Sequence, residues 1–292
     1  MKNNHAIKLF TWTLLLFVYN PSAFTQIIDD SLRIENNYRS FHYLPPQNAN
    51  ASLIFILHGS GGTGMGIRKG AAKLEAIAPA ENILLVYPDG YKNYWNECRK
   101  SATSLANIED VNEQAFFKGM ISYFNDKFKI NERKVFAIGT SGGGHMAYKL
   151  AVTIPESFKA IAALIANLPD DPNMDCVEKK IAIPVMIVNG TTDPVNPYNG
   201  GEVTVGGNVK LGTVRSTDLT FKYWSDLAGY KGKPKYKLLP DSDPKDGKRV
   251  EQYSFHKKHK PEVTLLKVIG GKHDYPNDIN VYLTAWEFFK RQ

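Results

Sequence analysis

Cysteine is almost missing from this 292-residue sequence: Cys98 and Cys176 are the only two, and they lie in separate loop-like segments. Their scarcity excludes a disulfide-stapled miniature fold and a Cys/His metal centre, whose ligands come in closely spaced groups. A long apolar run is missing too. The most apolar stretch of the leader, Leu9 to Tyr19, covers about eleven residues against the ~20 needed to span a bilayer. No heptad run, internal repeat or low-complexity linker is found, so coiled-coil and solenoid architectures are set aside. The glycine-rich segments lack the closing Gly-Lys-Ser/Thr of a P-loop, and neither a cofactor nor a metal is expected.

Acidic charge is in deficit, with 36 Lys and Arg against 29 Asp and Glu. The excess is concentrated between residues 231 and 260, where ten basic residues face four acidic ones. Such a segment can attract polyanions. Here Pro and Asp interrupt the charges and no recognition helix or stacking aromatics accompany them. A solvated hairpin is expected, and no nucleic-acid partner.

The amino terminus runs from a Lys-bearing start through the short apolar stretch to Ser22, Ala23 and Thr25. That is the layout of a secretory signal peptide over residues 1–25, with cleavage between Ala23 and Gln26. The expected product is secreted or periplasmic, carries no stable membrane association, and has a charge near +5 once Lys2 and Lys8 are removed. In an oxidising compartment an isolated cysteine pair often forms a disulfide, but spacing alone leaves the pairing of Cys98 and Cys176 open.

Residues 26–292 read as one domain of α/β class. "SLRIENNYRSFHYLPP" alternates around Asn36-Asn37 and predicts an antiparallel amino-terminal hairpin at a sheet edge. "ASLIFILHG", "ILLVYPDG", "KVFAI", "FKAIAALIA", "IPVMIVNG" and "VTLLKVIGG" are continuous apolar runs, the pattern of strands buried on both faces. Helices are expected over residues 66–82, from Glu109 to Phe128 with a stripe of Phe117, Met120, Ile121, Phe124 and Phe128, after Ser141, within "STDLTFKYWSDLAGY" and at the carboxyl terminus. Glycine-rich residues 200–216 read as a loop over one end of the sheet. The sum is a mostly parallel central sheet with helices on both faces.

In such a sheet ligands gather at the carboxyl ends of the strands. Four loops start there: "HGSGGTG", "GTSGGG", "GTTDPVNPYNGG" and "GGKHDYPND". In the second, Gly139-Thr140-Ser141-Gly142-Gly143 fits G-x-S-x-G between a strand and a helix, the context in which the serine stands exposed as a nucleophile. A serine needs a base and an acid to orient it. Asp193 and His273 follow later strands in the required order. Asp170 and Asp171 are rival acids, Asp274 is badly placed beside His273, His145 reads as a packing residue, and His256 and His259 as solvated. An oxyanion hole would take backbone N–H groups from Gly142 and, in the first loop, Ser60.

With these loops in view the chain resembles the exported α/β-hydrolase esterases grouped as polyhydroxybutyrate depolymerase-like and feruloyl or acetylxylan esterases, carbohydrate esterase family one. "LHGSGG", "YPDG", "YWNEC", "IEDVNE", "GTSGGGHMAYKLA", "NGTTDPVNPYNGG" and "GGKHDYP" carry the resemblance. It implies Ser141 as nucleophile, Asp193 as acid and His273 as base, and places Trp95 near the active site. "KHDYP" stands where such enzymes often have a "GGHxWP" form, which makes Tyr275 the local aromatic. Tyr94, Trp95, Tyr198 and Tyr275 are expected to wall a substrate pocket for an ester of plant polysaccharide or a short hydroxyalkanoate. A peptidase on this fold and a non-catalytic carbohydrate-binding protein are the other readings. The first needs recognition of a peptide amine that the sequence does not show, and the intact Ser, Asp and His weigh against the second.

Overall fold

The computed structural model describes residues 26–205 and 209–292, so the expected leader lies outside the described residues. Strands and helices are numbered in chain order. The continuous apolar runs form the middle of one sheet: β3 (Ser52–Leu57), β4 (Ile83–Pro88), β5 (Val135–Thr140), β6 (Ala160–Leu164), β7 (Val185–Gly190) and β12 (Val263–Ile269). They pair in parallel in the order β4, β3, β5, β6, β7, β12. Both faces are covered by helices, which is why these strands show no polar alternation.

Each edge of the sheet is antiparallel. At one, β1 (Ile28–Ile34) and β2 (Asn37–Leu44) form the expected hairpin, and β2 runs antiparallel to β4. At the other, β11 (Arg249–Phe255) pairs with β12, and the wholly exposed β10 (Lys235–Leu238) pairs with β11. The basic segment is therefore a hairpin. Lys235 and Lys237 lie on the outermost strand, where charge discourages edge-to-edge association of chains.

Three expected elements differ in detail. The helix expected over residues 66–82 forms two short pieces, α1 (Gly64–Ile67) and α2 (Ala72–Ile77), because Gly70 in the gap between them is a poor helix former and packs close to the Tyr282 ring. The long helix starts at Glu113, not Glu109. Asp110 takes φ 46° and Asn112 caps α4 (Glu113–Phe128) by accepting the Ala115 amide, behind a single turn α3 (Leu105–Ile108). Residues 200–216 hold an antiparallel ribbon, β8 (Gly201–Val205) and β9 (Val209–Val214), where a loop was expected. The alternation of Val and Thr outweighs the glycines there.

The core lies on both faces of the sheet. On one, Phe116, Phe117, Met120, Phe124 of α4 and the buried face of α5 (Gly142–Thr153) pack with α6 (Thr217–Leu227). On the other, α7 (Val281–Phe289) stacks Phe289 on Phe136 of β5 with ring centroids 4.6 Å apart. The loops after β3, β5, β6, β7 and β12 leave by the same edge.

Candidate active site

Ser141 occupies the single step between β5 and α5, with φ 54° and ψ −117°. A non-glycine residue at positive φ is strained, and strain of this kind persists only where the surroundings hold it. A Cβ at Gly139 would lie 1.9 Å from the Gly143 carbonyl oxygen, and one at Gly143 would lie 2.4 Å from that of Leu57. Only glycine lets the helix start this close to the sheet. The Ser141 amide donates to the Leu164 carbonyl (2.8 Å) and its carbonyl accepts from the His145 amide (3.0 Å), which fixes the turn on both sides.

The loops after β7 and β12 bring two more side chains to it. His273 Nε2 lies 2.9 Å from Ser141 Oγ, and His273 Nδ1 lies 2.7 Å from Asp193 Oδ2. Facing a carboxylate, Nδ1 carries the ring proton and leaves Nε2 as acceptor for the hydroxyl. The other Asp193 oxygen accepts the amides of Val195 (2.8 Å) and Asn196 (2.9 Å), and the side chain is 1% exposed. The two loops are stitched together: Thr192 Oγ1 donates to the Gly271 carbonyl (2.9 Å), and the Gly270 amide donates to Thr191 Oγ1 (2.9 Å). The rival acids are engaged elsewhere. Asp170 caps a short turn at Asn173, Asp171 pairs with Arg215 and Asp274 pairs with Lys248.

The loop after β3 packs against this turn. A Cβ at Gly142 would lie 2.8 Å from the Ser60 nitrogen, so the Gly142 and Ser60 amides belong to neighbouring backbone. His58 sets their direction, a part that the sequence reading did not assign to it. Its Nε2 accepts the Gly90 amide (2.9 Å), so its Nδ1 carries the proton and donates to the Gly59 carbonyl (2.7 Å), which also receives the Gly62 amide (3.0 Å). In a trans peptide the N–H points opposite to the preceding C=O. Holding the Gly59 carbonyl on the His58 side turns the Ser60 N–H away from it. Burial lowers the His58 pKa, which keeps the ring neutral and this arrangement intact.

A cavity of about 380 Å³ opens over Ser141 and His273, with Tyr275, Ile165, Val195 and Val205 among its walls. Of the four expected pocket aromatics, Tyr94, Trp95 and Tyr198 are not among the walls of this cavity. Trp95 is 3% exposed beneath the loop after β3, its indole N–H donating to the His58 carbonyl at 2.9 Å. Tyr198 is 5% exposed, with its hydroxyl donating to Asp218 at 2.7 Å. Each ring is packed in with its polar end bonded, Trp95 to the buried His58 carbonyl and Tyr198 to the exposed Asp218 carboxylate. Tyr275 does line the cavity, and its hydroxyl lies 2.6 Å from Thr140 Oγ1. The apolar walls were not anticipated. Ile165 takes φ 48°, a rare conformation for a β-branched residue, and nothing in "FKAIAALIA" signals it. Cys98 and Cys176 are joined in a disulfide.

His145, on α5 one turn beyond Ser141, is buried, and burial first, then the charge of Arg99, holds its pKa well below the ordinary 6.5. In the unfolded chain this histidine takes up a proton as pH falls through 6.5, while in the folded protein it does not, so stability is lost below that pH. The slope reaches about 1.4 kcal/mol per pH unit for one such group. His145→Gln is expected to flatten the fall in the urea unfolding midpoint between neutral and mildly acidic pH. Parallel curves for the two proteins would rule out a neutral buried His145.

The mostly parallel sheet, its antiparallel edges and the loops gathered at the carboxyl ends of its strands are those of the α/β-hydrolase fold. Residues 31–194 match the family model described as "Putative esterase", and the chain belongs to this esterase family, within the carboxylic ester hydrolases. It is 25% identical over 238 residues to "Putative esterase NocK" of Nocardia uniformis subsp. tsuyamanensis, covering 80% of this chain and 68% of that protein. It is 30% identical over 174 residues to "Probable feruloyl esterase C" of Aspergillus flavus, covering 56% of this chain and 58% of that protein. The chain thus spans little more than half the length of the latter. Among solved structures, an acetyl xylan esterase from Aspergillus awamori is similar in fold, with a TM-score of 0.61 at 16% identity over 91% of this chain and all of that one.

Proposed function

We propose that this protein is an exported serine esterase acting through Ser141, His273 and Asp193. The observation that carries the reading is the unbroken run of hydrogen bonds from Asp193 through His273 to the strained Ser141 at the mouth of a cavity. His273 Nε2 takes the hydroxyl proton as Oγ attacks the ester carbonyl, and Asp193 holds the imidazole and balances its developing charge. The Ser60 and Gly142 amides receive the oxyanion, each such donor contributing about 3 kcal/mol to transition-state stabilisation. His273 then returns the proton to the departing alcohol. A water activated by the same ring repeats the cycle and frees the acid.

The acyl group enters between Ile165, Val195 and Val205, and Tyr275 closes one side. The names of two relatives, a feruloyl esterase and an acetylxylan esterase, support feruloyl or acetyl esters of plant polysaccharide, and short hydroxyalkanoate esters come next on the sequence resemblance alone. The leader "MKNNHAIKLFTWTLLLFVYNPSAFTQ" and the Cys98–Cys176 bond support passage to an oxidising compartment, secreted or periplasmic. Among the described residues no helix is long and apolar enough to cross a membrane.

The test is a panel of methyl ferulate, acetylated xylan, hydroxybutyrate oligomers and aminoacyl amides, with initial rates of acid release. At least one ester class is expected to turn over, and the amides to remain intact. Amide cleavage without ester cleavage would replace this reading with a peptidase.

A further inference from the structure

The loop that carries His273 holds no helix or strand between the end of β12 at Ile269 and the start of α7 at Val281, so its shape depends on side-chain bonds. On one side it is stitched to the loop after β7. On the other it rests against the turn between β10 and β11. Gly270 and Gly247, both at positive φ, meet so closely that a Cβ at Gly270 would lie 2.7 Å from the Gly247 carbonyl oxygen. The Asn277 backbone amide donates to Asp246 Oδ2 (3.1 Å), its side-chain amide donates to Asp243 Oδ2 (2.7 Å), and Asp278 Oδ1 accepts the Ser242 amide (2.7 Å). These bonds anchor the loop beyond Pro276.

The stretch around His273 itself is bridged by a cation from β11's side of that turn. Asp274 Oδ1 accepts the Lys272 amide (3.2 Å), which closes a tight turn around His273, and Asp274 Oδ2 lies 2.8 Å from Lys248 Nζ. The same ammonium donates to the Tyr275 carbonyl (3.2 Å), and the Lys248 side chain is only 14% exposed. A free carboxylate next in sequence to the base would compete with Asp193 for the imidazolium that forms when Nε2 takes the Ser141 proton, and Lys248 occupies it. As a source of stability the pair counts for little, because Asp274 is 48% exposed. As geometry it counts for more. The ring must keep Nε2 at 2.9 Å from Ser141 Oγ and Nδ1 at 2.7 Å from Asp193 at once, and a misplacement of about 1 Å in such an arrangement can cost ~10²-fold in rate. Lys248 is not among the residues that line the cavity over Ser141, so it acts through the loop.

We propose that Lys248 is a positioning residue for the reaction, its ammonium holding the turn in which His273 reaches Ser141 and Asp193 together. The proposal rests on the reading of His273 as the base, and its test keeps the two apart. Lys248→Met and Lys248→Arg are compared with the parent by kcat and KM for p-nitrophenyl acetate, by the urea unfolding midpoint, and by the low-field proton resonance of His273 Nδ1–H, assigned through its loss in Asp193→Asn. Lys248→Met is expected to lower kcat about tenfold with KM and the unfolding midpoint near their parent values, and to broaden the resonance as the ring leaves its bonded position more often. Lys248→Arg keeps a cation within reach of both acceptors and is expected to restore most of kcat. Parent kcat and a sharp resonance in Lys248→Met overturn the positioning role, and so does a loss of activity that tracks a fall in the unfolding midpoint. If Ser141→Ala keeps the parent rate, the triad falls and the proposal with it. Parent rates in Lys248→Met beside an inactive Ser141→Ala remove the role of Lys248 alone.

Discussion

Ser141→Ala is expected to lower kcat on p-nitrophenyl acetate by about 10⁴- to 10⁶-fold while leaving the fold and KM near their parent values. The hydroxyl is the only atom removed, and Ser141 sits in backbone held by Leu164 and His145 through main-chain groups that alanine retains. The residual rate measures what the Ser60 and Gly142 amides and the cavity contribute without a nucleophile. Asp193→Asn is a finer probe of the same unit. An amide in place of the carboxylate can donate to Nδ1, which favours the tautomer with the proton on Nε2 and removes the acceptor for Ser141. A fall of about 10⁴-fold is expected with little change in structure. These losses do not add, because each variant disables one proton path. Equal rates for Ser141→Ala and the parent would sink the triad outright.

The double variant Cys98→Ser, Cys176→Ser is expected to lose most of the stability that a cross-link between residues 78 apart can supply, about 4.5 kcal/mol by loop-closure entropy. Activity measured at 25 °C is expected to survive. The segment carrying Cys98 is held in the folded state by other means: the Lys100 amide donates to the Asn173 carbonyl (2.8 Å), the Asp175 amide to that of Cys98 (3.2 Å), and the buried Glu97 and Arg99 pair at 2.7 Å. The bond therefore acts chiefly on the unfolded chain. Guanidinium unfolding read alongside ester turnover separates the two effects. A variant that kept its unfolding midpoint but lost turnover would show instead that the bond positions Trp95 and, through it, the loop of His58.

How far such features could be read in advance depends on where the physics is local. The central strands are legible because a strand buried on both faces must be apolar at every position, and "LIFIL", "ILLVY" and "VFAIG" are. The turn at Ser141 is legible because only glycines at residues 139 and 143 admit the close approach of backbone, and they are written into the sequence. Asp193 and His273 could be placed because strand order alone puts their loops at one edge. Trp95 and Tyr198 show the limit. An aromatic in a loop is equally suited to a pocket wall or to packing, and what decides is a partner distant in sequence, the His58 carbonyl for one and Asp218 for the other. The φ of Ile165 is likewise imposed by tertiary contact, its amide donating to the Val188 carbonyl at 2.7 Å. The ribbon was hidden by its glycines.

That ribbon sits apart from the main sheet. Its strands pair with each other, it keeps a small apolar cluster of Val203, Leu211 and Val214, and it meets the rest of the site through the Thr204 amide on the Val195 carbonyl and the bridge from Val214 to Pro169. Yet it supplies Val205 to the cavity over Ser141. Val195 and Tyr275 share their loops with Asp193 and His273, whereas Val205 alone comes from the ribbon, so an exchange in β8 is expected to change one wall of the cavity without replacing Ser141, His273 or Asp193.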